Sequence, residues 1–302
     1  MKLRLPPRLV APSLVLLRWF VFNPRIPFSR QRTLSDAILR QLHRVPADVK
    51  VADFQVAGVR GVRFAAPGAD PRRRVVYMHG GAFCVGSSVM GQSFAARLSQ
   101  ASGAVVFSLD YRHAPEHPYP AGLEDSLALW RHLLEEDPDL RPALPPVLTG
   151  DSSGANLALG TALTLRDAGE TLPAALGLIC PFLDLHEIAP TNRRDPVLTR
   201  AWLAACATAY VAGRDASDPL ISPVYADLTG LPPTLVFSAT HDMLAPDSTT
   251  FTRRAREAGV EVDHVEEQGL WHDYPLEAGL IAAADLALER FVRLLDHAWG
   301  PA

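Results

Sequence analysis

The stretch Pro146-Val147-Leu148-Thr149-Gly150-Asp151-Ser152-Ser153-Gly154-Ala155-Asn156 decides how this chain folds. Pro146 to Thr149 reads as a short buried strand, and the residues from Ser153 to Asp167 read as a helix. Between them the pattern is Gly-x-Ser-x-Gly, which in a strand-turn-helix context is a nucleophile elbow. Both glycines are needed because a β-carbon at either position would collide with the neighbouring strand or helix, while the serine is held at the tip of the turn. The helix that follows points its free N–H groups and the positive end of its dipole at the same spot. The frame selects Ser152 rather than Ser153 as the nucleophile.

The alternation continues outward from the elbow. Apolar runs at Arg74 to Met78, Ala104 to Leu109, Ala174 to Cys180, Thr234 to Ala239 and Val262 to Glu266 alternate with helix-length segments near Gly91 to Ala101, Ala121 to Leu134, Asp247 to Ala258 and Leu276 to Asp296. Continuous apolar strands joined by helices specify a mostly parallel sheet covered on both faces. Val49 to Val56 and Val59 to Ala65, separated by Ala57-Gly58, add an antiparallel pair. About fifty residues between Phe182 and Thr234 break the alternation and contain one expected helix, Pro196 to Val211. An insertion of that size between sheet strands reads as a lid or binding element.

Directly after the Arg74 to Met78 strand stands His79-Gly80-Gly81-Ala82-Phe83. A serine that attacks a carbonyl creates an oxyanion, which needs preorganised N–H donors. Consecutive glycines let the backbone come close to that oxygen. The amides of Gly80, Gly81 and Ser153 are the expected donors. His79 precedes the elbow and is expected to brace the loop by hydrogen bonding.

With about seventy residues between them, His79-Gly80-Gly81 and Gly150-Asp151-Ser152-Ser153-Gly154 resemble the paired motifs of the bacterial hormone-sensitive-lipase-type family of α/β-hydrolases. The block Asp110-Tyr111-Arg112-His113-Ala114-Pro115-Glu116 is similar to that family's Asp-Tyr-Arg-Leu-Ala-Pro-Glu, and Asp218-Pro219-Leu220-Ile221-Ser222-Pro223 and Gly230-Leu231-Pro232-Pro233-Thr234 resemble its later segments. The resemblance runs from about Val49 to the C-terminus. It implies an α/β-hydrolase fold with a central, mostly parallel eight-stranded sheet flanked by helices. It also implies a single domain whose helical cap is formed by residues 1–46 and 183–228 over a catalytic body of 47–182 and 229–302.

In that fold the chain order is nucleophile, acid, histidine, each at the end of a strand. His241-Asp242-Met243-Leu244, where the family commonly has Asp-Pro-Leu, places the acid at Asp242. Asp247 is the rival, and its place before the expected helix suits an N-cap. Leu270-Trp271-His272-Asp273 places the base at His272; His264 lies within a strand pattern, His241 adjoins the acid, and Asp273 is expected to be a loop carboxylate. Two residues depart from the family. Ser153 stands where alanine is usual, its hydroxyl expected to be satisfied at the helix start, and Met243 replaces a proline, which loosens the preset geometry of the acid loop.

These residues imply ester hydrolysis through an acyl-enzyme with no metal or organic cofactor, and the family resemblance implies small to medium uncharged carboxylic esters as substrates. A lactone or amide hydrolase using the same triad is the alternative within the chemistry. A non-catalytic small-molecule binder is the alternative from another class, and the filled triad and oxyanion positions speak against it. Phe83, Phe182, Trp202 and Trp271, with Cys206 and Tyr210, are expected to form an apolar substrate pocket.

Composition agrees with a soluble-type core. The chain has 302 residues, 48% of them hydrophobic and 21% charged, with a net charge of −4. Disorder and a disulfide scaffold are excluded, and positive charge spread along the chain gives no footprint for nucleic acid. Cys84, Cys180 and Cys206 are an odd number at wide spacings, consistent with a cytoplasmic location. Leu9 to Phe22 follows three basic residues but contains Pro12 and Arg18 and is too short to span a bilayer. An amphipathic helix packed on the body is expected there, with weak membrane-surface contact as the first alternative and export as the second. A homodimer is expected from the resemblance, with the last strand either pairing with a second copy or protected by Asp263, Glu266 and Glu267.

Overall fold

The computed structural model describes residues 4–135, 144–189 and 193–301. The expected cap segments include residues 1–3 and 190–192, which lie outside the described residues. Eight strands form one sheet: β1 Lys50–Val56, β2 Val59–Ala65, β3 Asp70–Met78, β4 Ala104–Asp110, β5 Val147–Asp151, β6 Leu176–Ile179, β7 Thr234–Ala239 and β8 Val262–Glu267. Their spatial order is β1-β2-β4-β3-β5-β6-β7-β8. The β1–β2 and β2–β4 pairs are antiparallel and all the others parallel. Strands β5, β6 and β7 are buried at every residue, as continuous apolar runs covered on both faces require. Strands β1 and β8 form the edges, and their burial is correspondingly partial.

The helices are α1 Pro7–Phe20, α2 Phe28–Leu42, α3 Gln92–Ser102, α4 Ala121–Glu135, α5 Ser153–Asp167, α6 Arg200–Val211, α7 Ala245–Glu257 and α8 Ala282–Trp299. Several boundaries differ from the sequence reading for local reasons. Strand β6 stops before Cys180 because that residue takes φ 45°, outside the extended region. The last helix starts at Ala282 rather than near Leu276, since a 3₁₀ turn at Tyr274–Glu277 is ended by Gly279 at φ 92°. Helix α6 starts later than Pro196, at a true N-cap where the Thr199 hydroxyl accepts from the Trp202 amide at 3.2 Å.

Helices α1, α2 and α6 are knitted together beside the carboxyl ends of the parallel strands. The Trp202 indole donates to Gln31 Oε1 at 2.8 Å, and the Phe22 and Trp202 rings lie 5.0 Å apart. Arg18 of α1 donates to the Asp195 carbonyl at 3.0 Å. Arg32 of α2 reaches down to the Cys84 and Ala114 carbonyls and pairs with Glu116, which joins this layer to the loop after β3.

Candidate active site

Ser152 sits between β5 and α5 at φ 54°, ψ −117°, a region that L-residues rarely occupy. The strain is held by its own backbone: Ser152 N donates to the Ile179 carbonyl at 2.8 Å, and Phe182 N donates to the Ser152 carbonyl at 3.0 Å. The glycine requirement has a direct structural cause. A β-carbon on Gly150 would stand 2.4 Å from the Gly154 backbone, and one on Gly154 would stand 2.0 Å from the Met78 carbonyl oxygen. The turn therefore packs β3, β5 and α5 more closely than any side chain permits.

His272 and Asp242 meet as the sequence reading requires. His272 Nδ1 lies 2.9 Å from Asp242 Oδ1, and that same oxygen accepts from the Leu244 amide at 2.9 Å. Both residues are buried, and Ser152 and His272 line one cleft. The other face of the imidazole differs from expectation. Nε2 is 3.0 Å from Asp273 Oδ2 and makes no hydrogen bond to Ser152. Asp273 is thus corrected from a loop carboxylate to a partner of His272. Its backbone at φ 58° turns the side chain into the cleft instead of letting it follow the chain outward.

The electrostatics follow from this arrangement. Burial alone would lower the pKa of His272, but the Asp273 and Asp242 carboxylates outweigh it and raise the value well above the ordinary histidine range. Burial raises that of Asp273. Asp151, inside the elbow motif, accepts from the Tyr77 hydroxyl and from the Gly80 amide, and burial first, then the Asp273 charge, holds its carboxyl far above the usual carboxylate range.

The Gly80 contact revises the expected oxyanion donors. Gly80 N donates to Asp151 Oδ2 at 2.9 Å, so this amide anchors the loop and is not free. Gly80 must be glycine for that reason, since a β-carbon there would lie 2.2 Å from Asp151 Oδ2. Gly81, at φ 110°, and Ser153, at the first position of α5, donate to no protein acceptor among the described residues, which leaves two amides for an oxyanion. The Ser153 hydroxyl makes no bond at the helix start; it is buried beside the Tyr111 phenol. His79 braces the loop: its Nδ1 is 2.7 Å from the Gly80 carbonyl, its ring stacks on Tyr111 at 4.4 Å, and burial lowers its pKa, keeping it neutral.

Asp247 is not an N-cap. Helix α7 begins at Ala245, and the buried Asp247 carboxylate, pushed up to about 7 by burial, accepts from the Leu183 and Asp184 amides at 2.8 and 3.0 Å. Of the expected pocket residues, Trp202 and Trp271 line the cleft. Phe83 and Phe182 do not. Phe83 stacks on Tyr210 at 3.8 Å and both phenylalanines are fully buried, so they form the packing between the loop and α6. The cleft walls come instead from Leu14, Leu17 and Phe22 of the N-terminal segment, Leu39 and His43 from α2 and its end, and Met90, Val197, Leu198, Leu276 and Glu277.

Asp195 had no signal in the sequence. It is 3% exposed, and its carboxylate, pushed up to about 6 by burial, accepts from the amides of Val197, Leu198 and Met243 at 2.7 to 3.0 Å. The Met243 bond restrains the acid loop that the loss of proline was expected to loosen. A proline could not make it. Cys180, Asp242 and His272 are the one group of potential metal ligands converging to within 4.8 Å among the described residues. A metal there would displace the Nδ1–carboxylate hydrogen bond, and burial keeps the Cys180 thiol protonated, which makes it a poor ligand.

Comparison with known proteins places this geometry. A sequence model of the α/β-hydrolase fold matches residues 75–276. An acetyl-hydrolase of Streptomyces hygroscopicus is 37% identical over 231 residues, covering 74% of this chain and 75% of its own. An esterase of Acinetobacter venetianus is 32% identical over 250 residues, covering 81% of each. A solved esterase of the bacterial hormone-sensitive lipase family superposes with a TM-score of 0.89 at 30% identity, covering 98% of this chain and 99% of that one. A hormone-sensitive lipase from a metagenome library superposes with a TM-score of 0.90 at 29% identity over the same shares.

Proposed function

Because this chain belongs to the bacterial hormone-sensitive-lipase family of α/β-hydrolases and is a carboxylic ester hydrolase, we propose that Ser152, His272 and Asp242 are its catalytic triad. Ser152 Oγ attacks the ester carbonyl as His272 Nε2 takes its proton, and the imidazolium is stabilised by Asp242 at Nδ1. The oxyanion is received by the Gly81 and Ser153 amides, donors of a kind typically worth about 3–4 kcal/mol each. The alcohol leaves with the proton from Nε2, and water activated by the same nitrogen releases the acid and restores Ser152. For the first step Asp273 must give up Nε2, so substrate entry and displacement of that carboxylate go together.

The observation that carries this reading is the 2.9 Å Asp242–His272 bond at the wall of a cleft that also holds the strained Ser152. The Leu14, Leu17, Phe22, Leu198, Trp202 and Leu276 walls favour small to medium uncharged acyl or alcohol groups. We read α1, α2 and α6 as the cap over this cleft. No helix among the described residues is long and apolar enough to cross a membrane. Three buried, unpaired cysteines support a cytoplasmic location, which cell fractionation tests.

Fluorophosphonate treatment followed by intact-mass analysis tests the nucleophile. One adduct that maps to Ser152, and its loss together with turnover of a short-chain aryl ester in Ser152→Ala, is the expected result. A fully active Ser152→Ala variant would overturn the assignment.

A further inference from the structure

Helix α1 is apolar on two opposite faces. Val10, Leu14 and Leu17 are buried, and Leu14 and Leu17 line the cleft. Leu9, Leu16, Trp19 and Phe20 recur at the spacing of the other face and stay 58–66% exposed. Seven of the ten large hydrophobic side chains exposed among the described residues, Leu5, Leu9, Leu16, Trp19, Phe20, Leu34 and Leu42, lie in this first segment, so the exposure is concentrated there and not scattered along the chain.

Charge is distributed to match. Both signs are unevenly placed, the first segment being rich in arginine and nearly free of acids. Residues 1–44 hold nine Lys and Arg against one acid, Asp36, a net +8, whereas the remainder carries −12 of the total −4. Arg8, Arg25, Arg30 and Arg40 are exposed and have no carboxylate partner among the described residues. Arg18 lies over the Trp19 ring at 5.8 Å. Exposed Leu and aromatic side chains flanked by unpaired arginines are the composition of a helix that lies in a bilayer interface, with the indole at headgroup depth.

We propose that α1, together with the arginines of the segment that follows it, docks this protein on an anionic lipid surface. The helix has 14 residues and lies along the surface, since it is too short to cross. Each arginine brought near an anionic leaflet typically raises partitioning about fivefold, and apolar insertion of Leu16, Trp19 and Phe20 adds to that. Since the inward face of the same helix walls the cleft, docking would hold the cleft beside the lipid. The proposal does not depend on which residue is the nucleophile.

Co-flotation of the full chain with vesicles tests it. Phosphatidylglycerol/phosphatidylcholine vesicles should carry at least about tenfold more protein than pure phosphatidylcholine at low salt, and high salt should release most of it. Trp19→Ser/Phe20→Ser should abolish flotation while turnover of a soluble aryl ester stays at the wild-type rate, which shows the variant is folded. Equal binding to both vesicle types, or flotation untouched by the double substitution, overturns the proposal. So does absence of flotation with a dimer, seen by sedimentation, that the double substitution splits, because the face would then be covered by a second copy of the chain.

Discussion

Asp273→Asn should make this enzyme work at lower pH. In the resting geometry the imidazole lies between two carboxylates, Asp242 at Nδ1 and Asp273 at 3.0 Å from Nε2. A histidine whose pKa is raised stays protonated to higher pH, and a protonated His272 cannot accept the Ser152 proton. The acidic limb of kcat/KM should therefore sit above the ordinary histidine range, with activity lost as pH falls through it. At 3.0 Å and an effective dielectric of about 20 the gross attraction is about 5–6 kcal/mol, most of it offset by the cost of keeping both groups buried. A net effect on proton affinity of about tenfold or more is typical for an opposite charge at this range. Asparagine is the substitution of choice because it removes the charge, keeps the size and tolerates φ 58°. Below the wild-type limb Asp273→Asn should run about tenfold or more faster than wild type, with kcat/KM following pH on a short-chain aryl ester. A limb that stays in place, or moves to higher pH, would refute the idea that Asp273 governs the base.

Phe83→Ala should cost about 3–5 kcal/mol in denaturant unfolding, because it empties a fully buried ring site, yet change KM much less than Trp202→Ala, whose ring lines the cleft. If the KM effects are reversed, the packing assignment of Phe83 is wrong. Asp195→Ala removes the acceptor of the Val197, Leu198 and Met243 amides and should cost at least about 1–3 kcal/mol as well as lower kcat. In an Asp195→Ala/Met243→Pro double variant the Met243 amide is no longer there to strand, although those of Val197 and Leu198 still are, so the two losses should fall short of their sum. Strict additivity in a double-mutant cycle would show that Asp195 acts elsewhere.

The elbow and the sheet were legible in the sequence because each rests on a local necessity, and the Asp242–His272 pairing because the order of the motifs along the chain points to both residues. Gly150 and Gly154 are readable since nothing larger fits against β3, and β5 to β7 are readable since strands buried on both faces are built mainly from apolar residues. The pocket was not legible for the opposite reason. Phe83 neighbours the His79-Gly80-Gly81 loop in sequence and Phe182 stands at the start of the insertion after β6, but nothing in sequence says which way a ring points, and both point into packing. Leu14, Leu17 and Phe22 reach the cleft from more than a hundred residues away, a contact that only the tertiary fold creates. Asp273 was misread because one left-handed residue turned its carboxylate through the chain, and Gly80 because its donor role depends on a carboxylate seventy-one residues later.

The departure at position 243 becomes part of one connected device. Met243 in place of proline exposes an amide, and Asp195, in the segment between β6 and α6, is the acceptor that fixes it. The Asp195 carbonyl in turn receives Arg18 from α1, and Asp242, the residue before Met243, holds His272. Three hydrogen bonds, linked through Asp195 itself and the Asp242–Met243 peptide, thus join the helix with the exposed aromatic face to His272. Rigid-body movement of α1 has a physical means of reaching the acid loop through Arg18 and Asp195, which a proline at position 243 would have cut. The loss of proline therefore exchanges a stiffness fixed by covalent structure for one set by the position of the helices above the cleft.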